Sequence, residues 1–329
     1  MVKQGDILYA LYGATSGEVG ISQIHGAINQ AILAIIPNEN YDSQFTMQWL
    51  RLNKTSIVDK YLQGGQGNLS GAIVKDLEID FPCFPEQNAI GTFFRTLDNT
   101  IHSHQQKLNH LRKLKKGYLQ LMFPQDGESV PRIRFEGFTG NWEAQRLGDV
   151  AEFSKGSGYA KSDLTTDGTP IILYGRLYTK YETVIENVET FTIMKKNSVI
   201  SQGGEVIVPS SGETAEDISR ASVVSKPGII LGGDLNIVKT SPEISPVFLA
   251  ITISNGNQQK ELSKRAQGKS VVHISNSDLK DVILQSPSID EQNAIGNFFH
   301  KLDSQIYDRI QKLNQLKQLK AAYMQKMFV

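Results

Sequence analysis

The sequence predicts an α+β chain: two mixed α/β domains, the first shorter than the second, set apart by two long helices that pair as a coiled coil. One stretch occurs twice. Residues 86–123 read EQNAIGTFFRTLDNTIHSHQQKLNHLRKLKKGYLQLMF and residues 291–328 read EQNAIGNFFHKLDSQIYDRIQKLNQLKQLKAAYMQKMF, at a constant offset of 205, with 22 of 38 paired positions identical and no gap. That is an internal duplication. The segments before each copy alternate short apolar runs with glycine-rich turns, the pattern of short strands.

Each copy carries an apolar stripe of period 3.5, which calls for a coiled-coil seam. In the first copy the seam runs Ile90, Phe94, Leu97, Ile101, Leu108, Leu111, Tyr118 and Met122; in the second it runs Ile295, Phe299, Leu302, Ile306, Leu313, Leu316, Tyr323 and Met327. Polar residues interrupt it at matching places, His104 with Arg309 and Lys115 with Lys320. Such breaks fix register at a cost in stability, so the two helices read as partners of each other. At 1.5 Å per residue each is about 50 Å long, the size of a spacer. Ser288 to Glu291 has the form of a capping box, and Pro85 sits where a helix tolerates proline, so the helices should begin near Glu86 and Glu291.

With 329 residues, 40% hydrophobic and 21% charged, the chain is long enough for two domains plus connectors. Its single cysteine, Cys83, excludes a disulfide framework and a cysteine-based zinc site. No run of 18 apolar residues and no signal-peptide pattern is present, so a cytoplasmic protein without membrane contact is expected. The 34 basic and 34 acidic residues balance, and overall charge advertises no nucleic-acid partner. Lys107, Arg112, Lys113, Lys115 and Lys116 accumulate toward the end of the first helix, where cations answer the helix dipole.

In chain order, residues 1–84 form the shorter domain, with strands around GDILYALYG and AINQAILAI and a helix near Phe45 to Tyr61. Residues 85–123 are the first spacer helix and 124–141 a linker, PQDGESVPRIRFEGFTGN, wrapping onto the next domain. Residues 142–287 form the second domain, with a helix near Pro246 to Leu262, and 288–329 the second spacer helix. The domains repeat as well: GDILYALYGATSG matches GGEVIVPSSGETA, GAINQAILAI matches GGDLNIVKT, and QGNLSGAIVKDLEIDFP matches QGKSVVHISNSDLKDVILQSP. Nothing in the first domain matches residues 132–200. It therefore reads as lacking about its first 70 residues, and it should leave apolar strand faces uncovered around Ile7, Ile32 and Ile35.

Motifs for catalysis fail. The GKS at Gly268 to Ser270 needs glycine at position 263 for a phosphate loop, where Ser263 stands. Gly156 and Gly158 lack the third glycine of a dinucleotide fingerprint, since position 161 is Lys161. No Asn/Asp-Pro-Pro-aromatic methyltransferase motif occurs. His102, His104 and His110 become Tyr307, Arg309 and Gln315 in the second copy, which argues against a metal site. The expectation is a chain with no catalytic residues, no metal and no cofactor.

The EQ-x-x-I helix starts, the PRIRFEGFTGNW linker followed by RLGDVAEF, the GDILYALYGATSG strand and loop, and the QGNLSG turn together resemble the specificity subunit of type I DNA restriction-modification systems. The resemblance spans the whole chain. It implies two target-recognition domains, each reading one half of a bipartite sequence in double-stranded DNA, separated by two antiparallel coiled-coil spacer helices. It implies a non-catalytic subunit that docks two methyltransferase subunits and, through them, restriction and motor subunits. The departure at the amino terminus puts DNA reading by the first, incomplete domain in question. A different class, a coiled-coil adaptor without DNA reading, accounts for the helices and neutral charge but not for the repeated loop-rich domains. Base and phosphate contacts call for Arg, Lys, Asn, Gln, Ser and Tyr on loops. The candidates are Lys155, Ser157, Tyr159, Lys161, Arg176, Tyr178, Lys180, Ser211, Lys264, Arg265, Gln267 and Lys269 in the second domain, and Tyr12, Ser16, Gln66 and Asn68 in the first.

Overall fold

The computed structural model describes residues 1–62, 68–266, 268 and 271–328. Two compact units make up the chain, Met1–Leu108 with Arg309–Val329, and Asn109–Asp308.

In the first unit, strand Ile7–Ala10 lies between Val19–Ile21 and Ile32–Ile35, antiparallel to both. Register sets Ile7 opposite Ile21 and Ile35, and Tyr9 opposite Val19 and Leu33. Strand side chains alternate with period 2, so these six share a face. Helices Ser43–Leu52 and Lys54–Leu62 cover it, burying Ile7, Tyr9, Met47, Leu50 and Ile57 in one core. The expectation of an open face at Ile7 and Ile35 is thereby corrected: Ile7 is 0% exposed and Ile35 packs on the same core. Ile32 belongs to the opposite face with Leu8 and Ala34, and all three are half-buried. The single helix expected over 45–61 is two, broken at Asn53, whose side-chain amide donates to the Trp49 carbonyl at 3.0 Å. Asparagine competes for backbone groups in this way and favours helix ends.

The second unit holds two five-stranded sheets. One runs Ala151–Lys155, Leu235–Thr240, Glu205–Pro209, Ser222–Val224, Val184–Ile185; the other runs Ile200–Gln202, Pro227–Leu231, Thr169–Ile172, Phe191–Thr192, Leu164–Thr165. The first is buried on both faces. Val206, Val208, Val223 and Val238 join a core with Phe248, Leu249, Trp142 and Phe123, while Ile207, Val224, Leu235 and Ile237 join another with Ile172, Ile229 and Leu231. Leu8 occupies in the first unit the place that Ile207 has here, by the sequence match of their strands. The face beneath Ile207 is packed by the other sheet, whereas Leu8 stays half-buried. The helix expected near 246–262 is again two, Pro246–Ile253 and Gly256–Arg265, parted at Ser254 and Asn255, and Gly256 opens the second with φ of 66°.

The duplicated stretches form helices Phe84–Leu121 and Ile289–Met327, of 38 and 39 residues. They run antiparallel in each unit. In the first unit Phe94 packs on Phe328 with ring centres 5.7 Å apart, Asp98 pairs with Lys320 at 2.6 Å, and His104 meets Arg309 at 2.8 Å. In the second, Lys115 pairs with Asp303 at 2.5 Å and Tyr118 packs on Phe298 at 5.0 Å. The two ion pairs are one contact made twice, since Asp98 and Lys115 each become their counterpart on adding 205. His104 and Arg309 occupy equivalent positions and bond to each other.

Seam residues Phe94, Leu97, Leu108, Ile295, Phe299, Leu302, Leu313 and Leu316 are buried, and Ile90, Ile101, Leu111, Tyr118 and Ile306 half-buried. The last turns of the second helix depart from the expected seam. Tyr323 and Met327 are 36% and 37% exposed, while Met324 is 6% exposed. Here the helix packs on more than a single partner helix: Phe328 reaches both Phe45 and Phe94, and Tyr323 is displaced to flank Phe93. The inward positions then run Leu316, Lys320, Met324, Phe328, at a spacing of four in place of 3.5, which turns the buried stripe around the helix.

Candidate DNA interface

What fastens each domain to its helix is the repeated EQ-x-x-I-G. In the first unit the Gln87 carbonyl oxygen accepts from Asp42 N at 3.0 Å, and its amide donates to the carbonyls of Asn40 and Pro82 at 3.4 and 2.8 Å. In the second, Gln292 accepts from Ser245 N at 2.9 Å and donates to Glu243 and Pro287 at 3.0 and 2.9 Å. Asp42 and Ser245 are the N-cap positions of helices Ser43–Leu52 and Pro246–Ile253. Each glutamine, at 2% and 1% exposure, thus locks the start of a long helix to the start of a domain helix. Four residues on, Gly91 and Gly296 permit the same close approach. A Cβ on Gly91 would collide with the Asp42 carboxylate and lie 3.0 Å from Phe45 N, whereas on Gly296 it would come within 3.3 Å of Val247. In the sequence these positioning residues stand as identical polar and glycine positions in both copies, outside the apolar pattern, which gives no sign of their clamping role.

The capping-box reading of Ser288 and Glu291 is also corrected. Glu291 is 1% exposed and receives the Arg134 guanidinium at 2.8 and 2.6 Å, and Arg134 donates further to the Gly140 carbonyl at 2.6 Å. That pair holds the linker against its domain and raises the affinity of Arg134 for its proton, first through the hydrogen bonds it donates to Glu291. Trp142 follows into the core between Phe123 and Phe248. Glu86, the counterpart of Glu291, is exposed.

The sequence candidates divide by exposure. Lys155, Lys161, Lys180, Lys264, Tyr12 and Asn68 are displayed. Burial lowers the Lys155 pKa, partly countered by Asp234. Lys180 pairs with Glu189 at 2.6 Å and Lys264 with Glu261 at 2.9 Å, both exposed pairs that open at little cost. Tyr12 bridges to Asn68 as Ser211 does to His273 in the second unit.

Others are built into the fold. Arg176, with its side chain 10% exposed, donates to Glu182, Glu189 and the Asn187 carbonyl. Tyr178 donates to the Ser211 carbonyl at 2.5 Å, and burial pushes its pKa well up. Ser157 donates to the Leu231 carbonyl and accepts from Val199 N. Tyr159 is 9% exposed in a core with Ile171 and Ile230, and Ser16 is 7% exposed with its hydroxyl donating to Leu11. Arg265 is half-buried and donates to the Asp281 carbonyl. Arg176, Tyr178, Ser157, Tyr159 and Ser16 are turned inward rather than displayed, and apart from the Arg176 Nε their polar side-chain atoms have partners inside the domain. Gln66, Gln267 and Lys269 lie outside the described residues. Among the described residues no helix is long and apolar enough to cross a membrane.

The chain matches the family described as type I restriction modification DNA specificity domain over residues 1–113 and 139–318. It is 20% identical to the type I restriction enzyme MjaVIII specificity subunit of Methanocaldococcus jannaschii over 98% of this chain and 78% of that protein. It is 22% identical to the putative MjaX specificity subunit of the same organism over 97% of this chain and 76% of that one. Among solved structures, the type I restriction-modification S subunit of M. genitalium superposes with a TM-score of 0.71 at 17% identity, over 100% of this chain and 84% of that chain. A chain from a study of complex assembly and conformational transition of the type I R-M system gives 0.53 at 16% identity, over 99% and 82%. These likenesses agree in fold, and the sequence match runs through both domains and both helices: the chain belongs to the family of type I restriction-modification DNA specificity domains.

Proposed function

We propose that this non-catalytic specificity subunit directs methyltransferase subunits, and through them restriction and motor subunits, to a bipartite sequence in double-stranded DNA. Residues 1–84 and 142–287 are the two reading domains, and the helices between and after them are the spacer. The observation that carries this reading is the duplicated clamp: Gln87 and Gln292 fix a domain to each helix start by the same hydrogen bonds. Paired helices running antiparallel with a domain fastened at each start suit a reader of two separated half-sites. Direct contacts come from the displayed Lys155, Lys161, Lys180, Lys264, Tyr12 and Asn68, with lysines on phosphates. Leu114 and Leu319, exposed at 36% and 44% and equivalent by the 205 offset, offer the same apolar spot on each helix, which suits two copies of one partner.

The test is exchange of residues 142–286 for the same region of a relative, in cells that also make the methyltransferase, followed by genome-wide mapping of methylated bases. One half of the methylated sequence should change while the other half and the spacing persist. A change in both halves would break the domain assignment, and methylation without a bipartite pattern would break the reading itself.

A further inference from the structure

The loop between strands Phe191–Thr192 and Ile200–Gln202, which lie apart in their sheet, places two of the most exposed apolar side chains among the described residues next to each other. Ile193 is 74% and Met194 50% exposed, and Lys195 and Lys196 follow directly. The loop is held in place just beyond the apolar pair. Lys195 N donates to the Tyr159 hydroxyl at 2.8 Å, its ammonium pairs with Asp163 at 2.9 Å and sits 4.5 Å over the Tyr159 ring, and Ser198 donates back to the Lys195 carbonyl at 2.7 Å. Val199 N is held by Ser157 at 3.0 Å. The buried Tyr159 and the half-buried Ser157 thus tie this loop to the segment that displays Lys155 and Lys161. Across residues 155–163 and 193–199 there are four lysines and a single acid, Asp163, which Lys195 already neutralises.

Resting on the DNA-reading function above, we infer that Ile193 and Met194 are a specificity element of the second domain, entering a groove of the duplex against base edges while Lys161 and Lys196 take the flanking phosphates. An aliphatic pair held on a stiff turn between cations matches how apolar side chains enter DNA, against thymine methyls or between base steps. A protein partner fits less well, because lysine is depleted in the buried centre of protein interfaces. Chemically, the pair reads base identity through shape and methyl contact and the lysines supply register.

The test uses the chain assembled with its methyltransferase, titrated by fluorescence anisotropy against a duplex carrying the methylated sequence found by mapping and against one with the second half scrambled. The double variant Ile193→Ser with Met194→Ser should lose about tenfold or more in affinity for the intact duplex, leave the scrambled one unchanged and keep the same salt dependence. Lys196→Ala should weaken both duplexes alike and lower the salt slope by about 1. If the wild-type complex separates the two duplexes and the double variant does so equally well, the inference fails with the function intact. If the wild type does not separate them, the DNA-reading function itself fails. If the double variant loses methyltransferase while each remaining complex binds as before, the patch docks protein and the inference is overturned.

Discussion

The Glu291 carboxylate, at the start of the second long helix, receives both arms of the Arg134 guanidinium at 2.8 and 2.6 Å and is 1% exposed. A bidentate pair of this kind is strong, and removing one partner leaves a buried charge. Arg134→Met is therefore expected to cost about 3–5 kcal/mol, read as a fall in the urea midpoint. Glu86→Gln, at the exposed equivalent position, should stay within about 0.5 kcal/mol of wild type. Equal effects at the two sites would mean that the pair contributes little.

Gly91 and Gly296 make a second matched comparison. Alanine at 91 must push aside the Asp42 side chain, which caps helix Ser43–Leu52 by accepting from Phe45 N at 2.8 Å, and it meets backbone as well. Gly91→Ala should cost about 1–3 kcal/mol by overpacking. At 296 the neighbours are Cγ1 and Cβ of Val247 at 3.3 and 3.4 Å, looser than the contacts around Gly91. Gly296→Ala should cost clearly less in the same denaturation assay.

At the end of the second helix, Met324→Ala is expected to cost about 2–5 kcal/mol, as for a buried methionine. Tyr323→Ala should cost less than the Met324 change because the ring already flanks Phe93 in contact with water. The reverse order, measured by thermal melting, would restore the regular period of 3.5 to these turns.

The helix pair should weaken in acid. His104 has its pKa lowered, by burial first and then by Arg309, Lys107 and Lys312. Its unfolded form therefore takes up a proton near pH 6.5, before the folded form does. Stability is full above that value and falls as pH drops toward the folded pKa. Asp98 acts at still lower pH: burial pushes its carboxyl up, but hydrogen bonds from Lys320 and Gln48 and the charges of Lys320 and Arg51 outweigh this and hold it below the usual range. Stability that it supplies is present above the unfolded carboxylate pKa and lost below it. His104→Gln should flatten the melting temperature just below about pH 6.5 while leaving the steeper loss below about pH 4. An unchanged profile would show that His104 does not titrate between the folded and unfolded states.

By itself the sequence determined the duplication, the helix starts to within two residues, the seam over most of its length and the identity of its polar breaks. These are set by local periodicity and by comparison of the chain with itself, which need no knowledge of the fold. It also carried the repeated EQ-x-x-I motif, whose glutamines clamp each domain to its helix. Tertiary structure alone decided which strand face of Ile7 and Ile32 is covered, since alternation gives two faces but not the one that a helix will bury. It decided that Tyr323 yields the interior to Met324, because Phe45 and Phe94 enter the packing there from far away in sequence. It sorted the candidate contacts as well. Arg176, Tyr178 and Tyr159 have the chemistry of DNA readers, but a buried polar atom must find a partner, and theirs lie within the domain at Glu182, Ser211 and Lys195. The exposed pair Ile193 and Met194 escaped notice for the converse reason: in sequence an apolar dipeptide beside a strand reads as core, and only the fold turns it outward.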